Sequence, residues 1–93
     1  MKILVVDDET ALAELLVERL EKAGHVAQAV YRGQDALRAT AEFRPEAVLC
    51  DHFLPDYAGI ELLPLIHAEL PSCPIVMMTG AGSSKLAVQA MKA

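Results

Sequence analysis

The alternation of four short apolar runs with helical patterns is the feature that most constrains the fold of this chain. The runs are rich in aliphatic residues and show no strict apolar–polar alternation, which is typical of strands buried on both faces of a sheet. Gln28 interrupts the second run, which predicts an edge strand. The four predicted strands cover residues 3–6, 26–31, 47–50 and 75–78.

The first predicted helix lies between the first and second strands. Its apolar residues recur with the i, i+3, i+4 spacing of one buried stripe. Thr10 is the candidate N-cap, and Gly24 stands where the end of a helix favours a left-handed residue. The stripe consists of Leu12, Leu15, Leu16, Leu20 and Ala23.

Three further helices are predicted over residues 34–43, over residues 60–70 and from Lys85 to the end of the chain. Pro64 lies inside the third helix, where it removes one hydrogen bond and is expected to kink or delay the helix. Strands that alternate with helices predict an α/β fold, a doubly wound parallel sheet with helices on both faces. If the strand order is the flavodoxin-like 2-1-3-4, a fifth strand and helix are expected beyond the 93 residues. Without them the fourth strand is an exposed edge.

Charge and hydropathy exclude several classes of protein. The net charge is −5 and the eight basic residues are scattered, so no nucleic-acid surface is expected on this segment. No apolar run approaches the ~20 residues of a membrane helix. Acids follow the first apolar run at once, unlike in a secretory signal, which predicts a cytoplasmic protein. Cys50 and Cys73 lack C-x-x-C spacing, and Cys50 is expected to be a small core residue.

Three acids directly follow predicted strands. Asp7 and Asp8 follow the first strand, and Asp51 follows the third. Ligands of a doubly wound sheet bind outside the carboxyl ends of its strands, so the three carboxylates are expected to converge. Carboxylates in contact repel one another unless a cation lies among them, and Mg²⁺ suits an all-oxygen site. The plainer interpretation, that each acid only caps the next helix, explains one such residue better than three.

Thr79 and Gly80 end the fourth predicted strand at the same edge. A hydroxyl group there is placed to bind a phosphoryl oxygen, and the glycine leaves room for a ligand. Thr-Gly alone is an ordinary junction between a strand and a loop. Its functional interpretation depends on the acids beside it.

Three segments resemble the receiver domains of response regulators from bacterial two-component systems. Residues 3–9, ILVVDDE, are similar to the opening of that family. Residues 51–59, DHFLPDYAG, resemble its D-x-x-[ML]-P-x-x-x-G phosphorylation segment, and residues 74–80, PIVMMTG, its fourth strand with a switch hydroxyl. The resemblance covers the whole chain in order and spacing. Each motif alone is moderately specific, whereas the three together are specific.

The resemblance implies a role for each matching residue. Asp51 would be the phosphoacceptor. Asp7, Asp8 and Asp51 would hold Mg²⁺ together with the backbone carbonyl of Phe53. Thr79 would bind the phosphoryl group and report its arrival.

The resemblance also implies partners and an output. A sensor histidine kinase would donate the phosphoryl group from a phosphohistidine. The domain would be a signalling module and not an enzyme, with only self-phosphorylation and slow self-dephosphorylation. Receivers often precede DNA-binding or ATPase domains, so transcription regulation is an expected output. The family carries a lysine and a switch aromatic residue on its fifth strand, so residues 1–93 are expected to form one receiver domain that is incomplete at its C-terminus.

Two other functions stay open. Some Mg²⁺-dependent phosphohydrolases with an aspartyl nucleophile also use an acid after the first strand, but they need D-x-D where this chain has Asp7, Asp8 and Glu9. A receiver that is not phosphorylated would be an interaction module, with a homodimer through the exposed fourth strand and the fourth helix. Asp56 and Tyr57 are interpreted as turn residues or partner contacts.

Overall fold

Residues 1–78 form a four-stranded parallel sheet with helices on its two faces. The computed structural model describes residues 1–78. The strands are β1 (Lys2–Val6), β2 (Val26–Val30), β3 (Ala47–Asp51) and β4 (Ile75–Met78), and the helices are α1 (Thr10–Lys22), α2 (Gly33–Glu42) and α3 (Gly59–Glu69). The strand order β2-β1-β3-β4 confirms the predicted flavodoxin-like fold. The predicted fourth helix, Thr79 and Gly80 lie outside the described residues.

The register of the sheet brings the carboxyl ends of β1 and β3 side by side. Val6 ends β1 and pairs with Val30 in β2 and with Cys50 in β3. The backbone N–H of Asp7 donates a hydrogen bond to the carbonyl of Val30 at 3.1 Å. Asp7 and Asp51 each come one residue after this row, so they emerge at the same edge of the sheet.

Helices cover both faces of the sheet. Leu4 and Val6 of β1 belong to a core that also includes Val48 and Cys50 of β3. The helices α2 and α3 supply Ala36, Ala39, Leu62 and Ile66 to this core. Because side chains alternate along a strand, Ile3 and Val5 of β1 face the opposite side, where α1 packs against β1 and β2.

The edge position predicted for the second strand is confirmed. β2 is hydrogen-bonded to β1 alone within the described sheet. Val26 and Gln28 are exposed, and Val30 alone in this strand is buried. β1, in contrast, lies between two strands and is buried from Ile3 to Val6.

Two details of α1 differ from the prediction. The helix already begins at Thr10, so the N-cap is Glu9 and no side chain caps it; Thr10 as the cap is wrong. The apolar stripe is also less buried than predicted. Ala13 is the buried residue of this helix, and Leu15 is 45% exposed. α1 packs mainly over the edge strand β2, so one side of the stripe reaches solvent. Gly24 does adopt the expected left-handed conformation, with φ of +94°.

α3 begins at Gly59 and runs through Pro64 without interruption, so the expected delay of this helix is wrong. Pro64 lacks the N–H that would donate to the carbonyl of Ile60. Both residues are exposed, so the Ile60 carbonyl lies on the solvent-facing side of the helix and is not left unpaired in the core. The carboxylate of Glu61 stabilises the start of the helix, because it accepts a hydrogen bond from the backbone N–H of Ala58 at 2.8 Å.

No helix among residues 1–78 is both long and apolar enough to span a bilayer.

Candidate functional site

Three carboxylates meet at the carboxyl end of the sheet. Asp7 and Asp8 follow β1, and Asp51 ends β3. One oxygen from each of them lies within 4.8 Å of the other two. Asp7 and Asp51 are only 3% and 5% exposed, whereas Asp8 faces solvent. The structure therefore brings the three predicted acids together, two of them buried and one at the rim.

The charge of Asp7 is disfavoured where it lies. Burial raises the pKa of the Asp7 carboxyl to about 6. The backbone N–H of Glu9, which donates to Asp7 Oδ1 at 2.9 Å, opposes the rise, and the charges of Asp51 and Asp8 add to it. A cation among these groups would favour the charged form of each.

Asp51 offers an oxygen that no other group among residues 1–78 uses. Its Oδ1 is buried and has no hydrogen-bond partner within the described part of the chain. Leaving such an atom unpaired costs about 1–3 kcal/mol, so a buried acceptor of this kind calls for a ligand. A hard divalent cation with oxygen ligands fits this donor set. The Phe53 carbonyl as a further ligand stays a prediction.

Cys50 lies beside Asp51 but takes no part in the candidate site. It is fully buried in the core, as predicted, and its Sγ donates to the carbonyl of Asp51 at 3.4 Å. Burial, followed by the charges of Asp51 and Asp7, raises the pKa of the thiol to about 12. Cys50 therefore stays protonated and acts as a core residue.

The segment after Asp51, residues 52–58, forms a closed loop that we call the acceptor loop. At its base the backbone N–H of Gly59 donates to the carbonyl of His52 at 2.6 Å, and Phe53 forms an antiparallel bridge with Ala58. At its tip the N–H of Leu54 donates to the carbonyl of Tyr57 at 3.0 Å. The loop thus returns to the end of β3 and holds the backbone of Phe53 next to Asp51. The Phe53 side chain is 76% exposed.

Gly59 permits this closure because no side chain fits there. A Cβ at this position would overlap the backbone carbonyl oxygen of Asp51 and stand 2.5 Å from Cε of Met77. The start of α3 can therefore lie directly against the end of β3. This close approach explains the glycine eight residues after Asp51 in the segment that resembles the phosphorylation motif.

One contact of the acceptor loop was not predicted from the sequence. Asp56 and Tyr57 contact the start of α2, where Asp56 accepts hydrogen bonds from the backbone N–H groups of Gly33 and Gln34. The sequence did carry a sign of this contact, because Arg32, a poor N-cap residue, precedes α2. The predicted switch residue Thr79 lies outside the described residues, so its role stays a prediction.

The whole sequence matches one protein family. The family model of the response regulator receiver domain matches residues 3–93. The two-component response regulator PhoP of Pseudomonas aeruginosa is 33% identical over 93 residues, which are 100% of this chain and 41% of PhoP. The DNA-binding response regulator MtrA of Mycobacterium tuberculosis is 41% identical over 78 residues, which are 84% of this chain and 34% of MtrA. The chain therefore spans less than half the length of these relatives.

Solved structures show the same fold. A CheY-like response regulator receiver domain protein from Methanospirillum hungatei matches with a TM-score of 0.82 and 30% identity, over 98% of this chain and 73% of that one. A response regulator from Burkholderia pseudomallei, solved with a phosphorylated aspartic acid, a calcium ion and citrate, matches with a TM-score of 0.81 and 28% identity. That match covers 98% of this chain and 54% of the other. The sequence motifs, the sheet order and these matches agree: the chain belongs to the response regulator receiver domain family.

Proposed function

We propose that this domain accepts a phosphoryl group on Asp51 from the phosphohistidine of a sensor histidine kinase. The main support is the buried Oδ1 of Asp51, which lies beside two more carboxylates and has no partner among residues 1–78. Such an oxygen keeps its lone pairs available for a phosphorus atom or a cation. The Burkholderia pseudomallei relative, with its phosphorylated aspartic acid and calcium ion, supports the same chemistry here.

Asp51 acts as the nucleophile. Its carboxylate oxygen forms a bond to phosphorus while the bond from phosphorus to the imidazole nitrogen of the donor breaks, with the two groups in line. The product is an acyl phosphate. Attack by water on this acyl phosphate later releases inorganic phosphate and regenerates the Asp51 carboxylate. The domain turns over only its own phosphoryl group, so it serves as a signalling module.

Asp7, Asp8 and Asp51 are the residues that would hold Mg²⁺, with the Phe53 carbonyl as a further ligand. When bound, Mg²⁺ neutralises charge on the oxygens of the transferring phosphoryl group. The Glu9 N–H donates to Asp7 Oδ1 at 2.9 Å and so restrains the orientation of this carboxylate. The acceptor loop keeps the Phe53 backbone beside Asp51.

Thr79 is the proposed switch residue. It follows Met78, which pairs with Asp51 across β3 and β4. Its hydroxyl would bind a phosphoryl oxygen and so transmit phosphorylation to the rest of the protein.

The proposed setting is a cytoplasmic signalling pathway. The relatives PhoP and MtrA are response regulators, and MtrA is a DNA-binding one, which supports regulation of transcription as the output. The scattered basic residues speak against direct nucleic-acid contact by this segment. A homodimer through β4 and the predicted fourth helix remains part of the proposal.

The intact mass of the protein after incubation with acetyl phosphate tests this function. We expect a gain of one phosphoryl group that requires Mg²⁺ and is absent in Asp51→Asn. Asp35→Asn, which removes the same charge from α2, is the matched control and should be phosphorylated like the wild type. A wild-type protein that gains no mass with Mg²⁺ and either acetyl phosphate or an active histidine kinase would rule out the proposed function.

A further inference from the structure

The acceptor loop is tied to a helix that lies earlier in the chain. The Asp56 carboxylate accepts a hydrogen bond from the backbone N–H of Gly33 at 2.8 Å and another from that of Gln34 at 3.0 Å. Gly33 and Gln34 are the first two residues of α2. The bond from Gln34, together with that from Gly33, lowers the pKa of the Asp56 carboxyl, so both bonds favour its charged form.

α2 depends on this contact because its own sequence supplies no cap. The first N–H groups of a helix have no partner within the helix, and a Ser, Thr, Asp or Asn at the N-cap usually accepts one of them. The N-cap of α2 is Arg32, whose side chain makes no such bond. Asp56 of the acceptor loop, 23 residues after Gly33 in the sequence, caps the helix instead. Its negative charge also suits the positive end of the helix dipole.

The Tyr57 side chain packs against the start of α2, beside the hydrogen bonds to Asp56. The Tyr57 side chain lies so close to Gly33 that a Cβ there would stand 2.9 Å from Cγ and 3.0 Å from Cβ of Tyr57. Real Cβ atoms do not approach this closely, so a side chain at position 33 would force Tyr57 to move. Tyr57 also belongs to the rim of the core that α2 and α3 share. The tip of the acceptor loop is therefore fixed by two adjacent residues, one polar and one aromatic.

The Phe53 backbone is part of the base of this loop and directly precedes Leu54, whose N–H closes the tip. The base is closed by the bond from Gly59 to His52 and by the bridge between Phe53 and Ala58. A loop held at both ends has little freedom, so its carbonyl groups keep one direction. Releasing the tip would return that freedom and increase the entropic cost of fixing a carbonyl ligand.

We propose that Asp56 is a positioning residue that ties the acceptor loop to α2, holds the Phe53 carbonyl ready for Mg²⁺, and makes the start of α2 respond to metal binding. This inference rests on the proposed function. Asp56 is exposed and lies outside the cluster of three carboxylates, so it acts through the loop and not as a ligand.

The affinity for Mg²⁺, measured by titration calorimetry, is the first test. Asp56→Ala should weaken binding about tenfold, in the range found for residues that orient metal ligands. Asp56→Asn keeps one acceptor oxygen and should lie between the wild type and Asp56→Ala. Asp35→Ala is the matched control, because it removes a carboxylate from the first turn of α2 that pairs with Arg38 at 3.9 Å. Its Mg²⁺ affinity should stay within about twofold of the wild type.

The amide resonances of Gly33 and Gln34 give a readout that a loss of helix stability alone would not reproduce. In the wild type both should shift when Mg²⁺ is added, and in Asp56→Ala both should stop responding although the metal still binds at higher concentration. Gly33→Ala provides an independent variant. It displaces Tyr57 while alanine itself favours the helix, so it should weaken Mg²⁺ binding without unwinding α2.

Wild-type affinity in folded Asp56→Ala would overturn the inference, and so would Gly33 and Gln34 resonances that ignore Mg²⁺ in the wild type. If Asp56→Ala does not fold, Asp56→Asn and Gly33→Ala decide by the same two measurements. Failure of the proposed function looks different, because the wild-type protein itself would then gain no phosphoryl group. Phosphorylation of the wild type with unchanged Mg²⁺ affinity in the Asp56 variants would reject this inference alone.

Discussion

Asp7 and Asp51 carry their carboxylates at the same end of two adjacent parallel strands, and both are almost excluded from solvent. The register sets this relationship, because Val6 lies opposite Cys50 and the next residue of each strand is an acid. Burial and the nearby charges of Asp51 and Asp8 disfavour the charged form of Asp7, and a proton or a cation relieves this.

The contribution of Asp7 to the stability of the metal-free protein should fall as the pH rises from about 4 to about 6. The pKa of Asp7 is about 6 in the folded protein, whereas an aspartate in an unfolded chain has a pKa of 3.8. The folded state therefore holds a proton in this window that the unfolded state has released, and the stability due to that proton is lost as the pH rises through 6. The loss corresponds to at most roughly 3 kcal/mol.

Urea unfolding in the presence of a chelator, repeated across this pH range, measures the effect. Asp7→Asn cannot titrate, so the difference in unfolding free energy between variant and wild type should grow with pH and level off above about 6. Acids outside the cluster cancel in this difference; Asp56, for example, has a lowered pKa and acts in the opposite direction. A difference that does not change with pH would contradict the buried, poorly solvated Asp7.

Mg²⁺ should raise the thermal unfolding midpoint of the wild type, since a ligand that binds only the folded state stabilises it. Asp7→Asn and Asp8→Asn should weaken this response, because each removes a charged oxygen ligand from the cluster. Without metal at neutral pH, Asp7→Asn should be more stable than the wild type. Asp35→Asn should respond to Mg²⁺ like the wild type. Na⁺ added at twice the Mg²⁺ concentration, which supplies the same positive charge, should change the unfolding midpoint of the wild type little.

Most of the fold could be predicted because its determinants are local. The apolar runs predicted the strands to within a residue or so, and Gln28 indicated the edge strand β2. The three acids could be brought together once the strand order was assumed, since each directly follows a strand. Local patterns were also enough to predict Cys50 as a core residue.

The remaining details depend on neighbours that are distant in sequence. The effect of Pro64 on α3 depends on whether Ile60, four residues earlier, faces solvent, because Pro64 cannot donate to the Ile60 carbonyl. The sequence alone does not give that exposure. Asp56 could not be recognised as the cap of α2, because the contact spans 23 residues. The pattern around Arg32 indicates only that a cap is missing, and the packing of the acceptor loop decides which residue supplies it.

Gly59→Ala should destabilise the protein by about 1–3 kcal/mol, the range for overpacking a closely packed position. The new methyl group would meet the carbonyl of Asp51 and the side chain of Met77. It should also weaken Mg²⁺ binding, since it pushes the end of β3 and the acceptor loop apart. Ile60→Ala is the control, because Ile60 is 67% exposed and its truncation should change the unfolding free energy little. Equal stability of the two variants in urea would show that α3 does not lie against β3 as described.

Both cysteines should resist alkylation while the protein is folded. Cys50 is fully buried and its pKa is about 12, and Cys73 is 6% exposed with a pKa that burial also raises. The reactive thiolate is therefore scarce and shielded at both positions. Mass spectrometry after treatment with iodoacetamide should show modification only at urea concentrations that unfold the protein. Rapid modification of Cys50 in native buffer would mean that the end of β3 opens easily.

The most direct test of the central claim is to locate the phosphoryl group itself. Borohydride reduces an acyl phosphate of aspartate to homoserine, so phosphorylated protein can be reduced, digested and sequenced by tandem mass spectrometry. We expect homoserine at position 51 alone, only in samples that contained both phosphodonor and Mg²⁺. Homoserine at Asp7 or Asp8, or a phosphoryl group that stays on a histidine, would contradict the assignment of Asp51 as the phosphoacceptor.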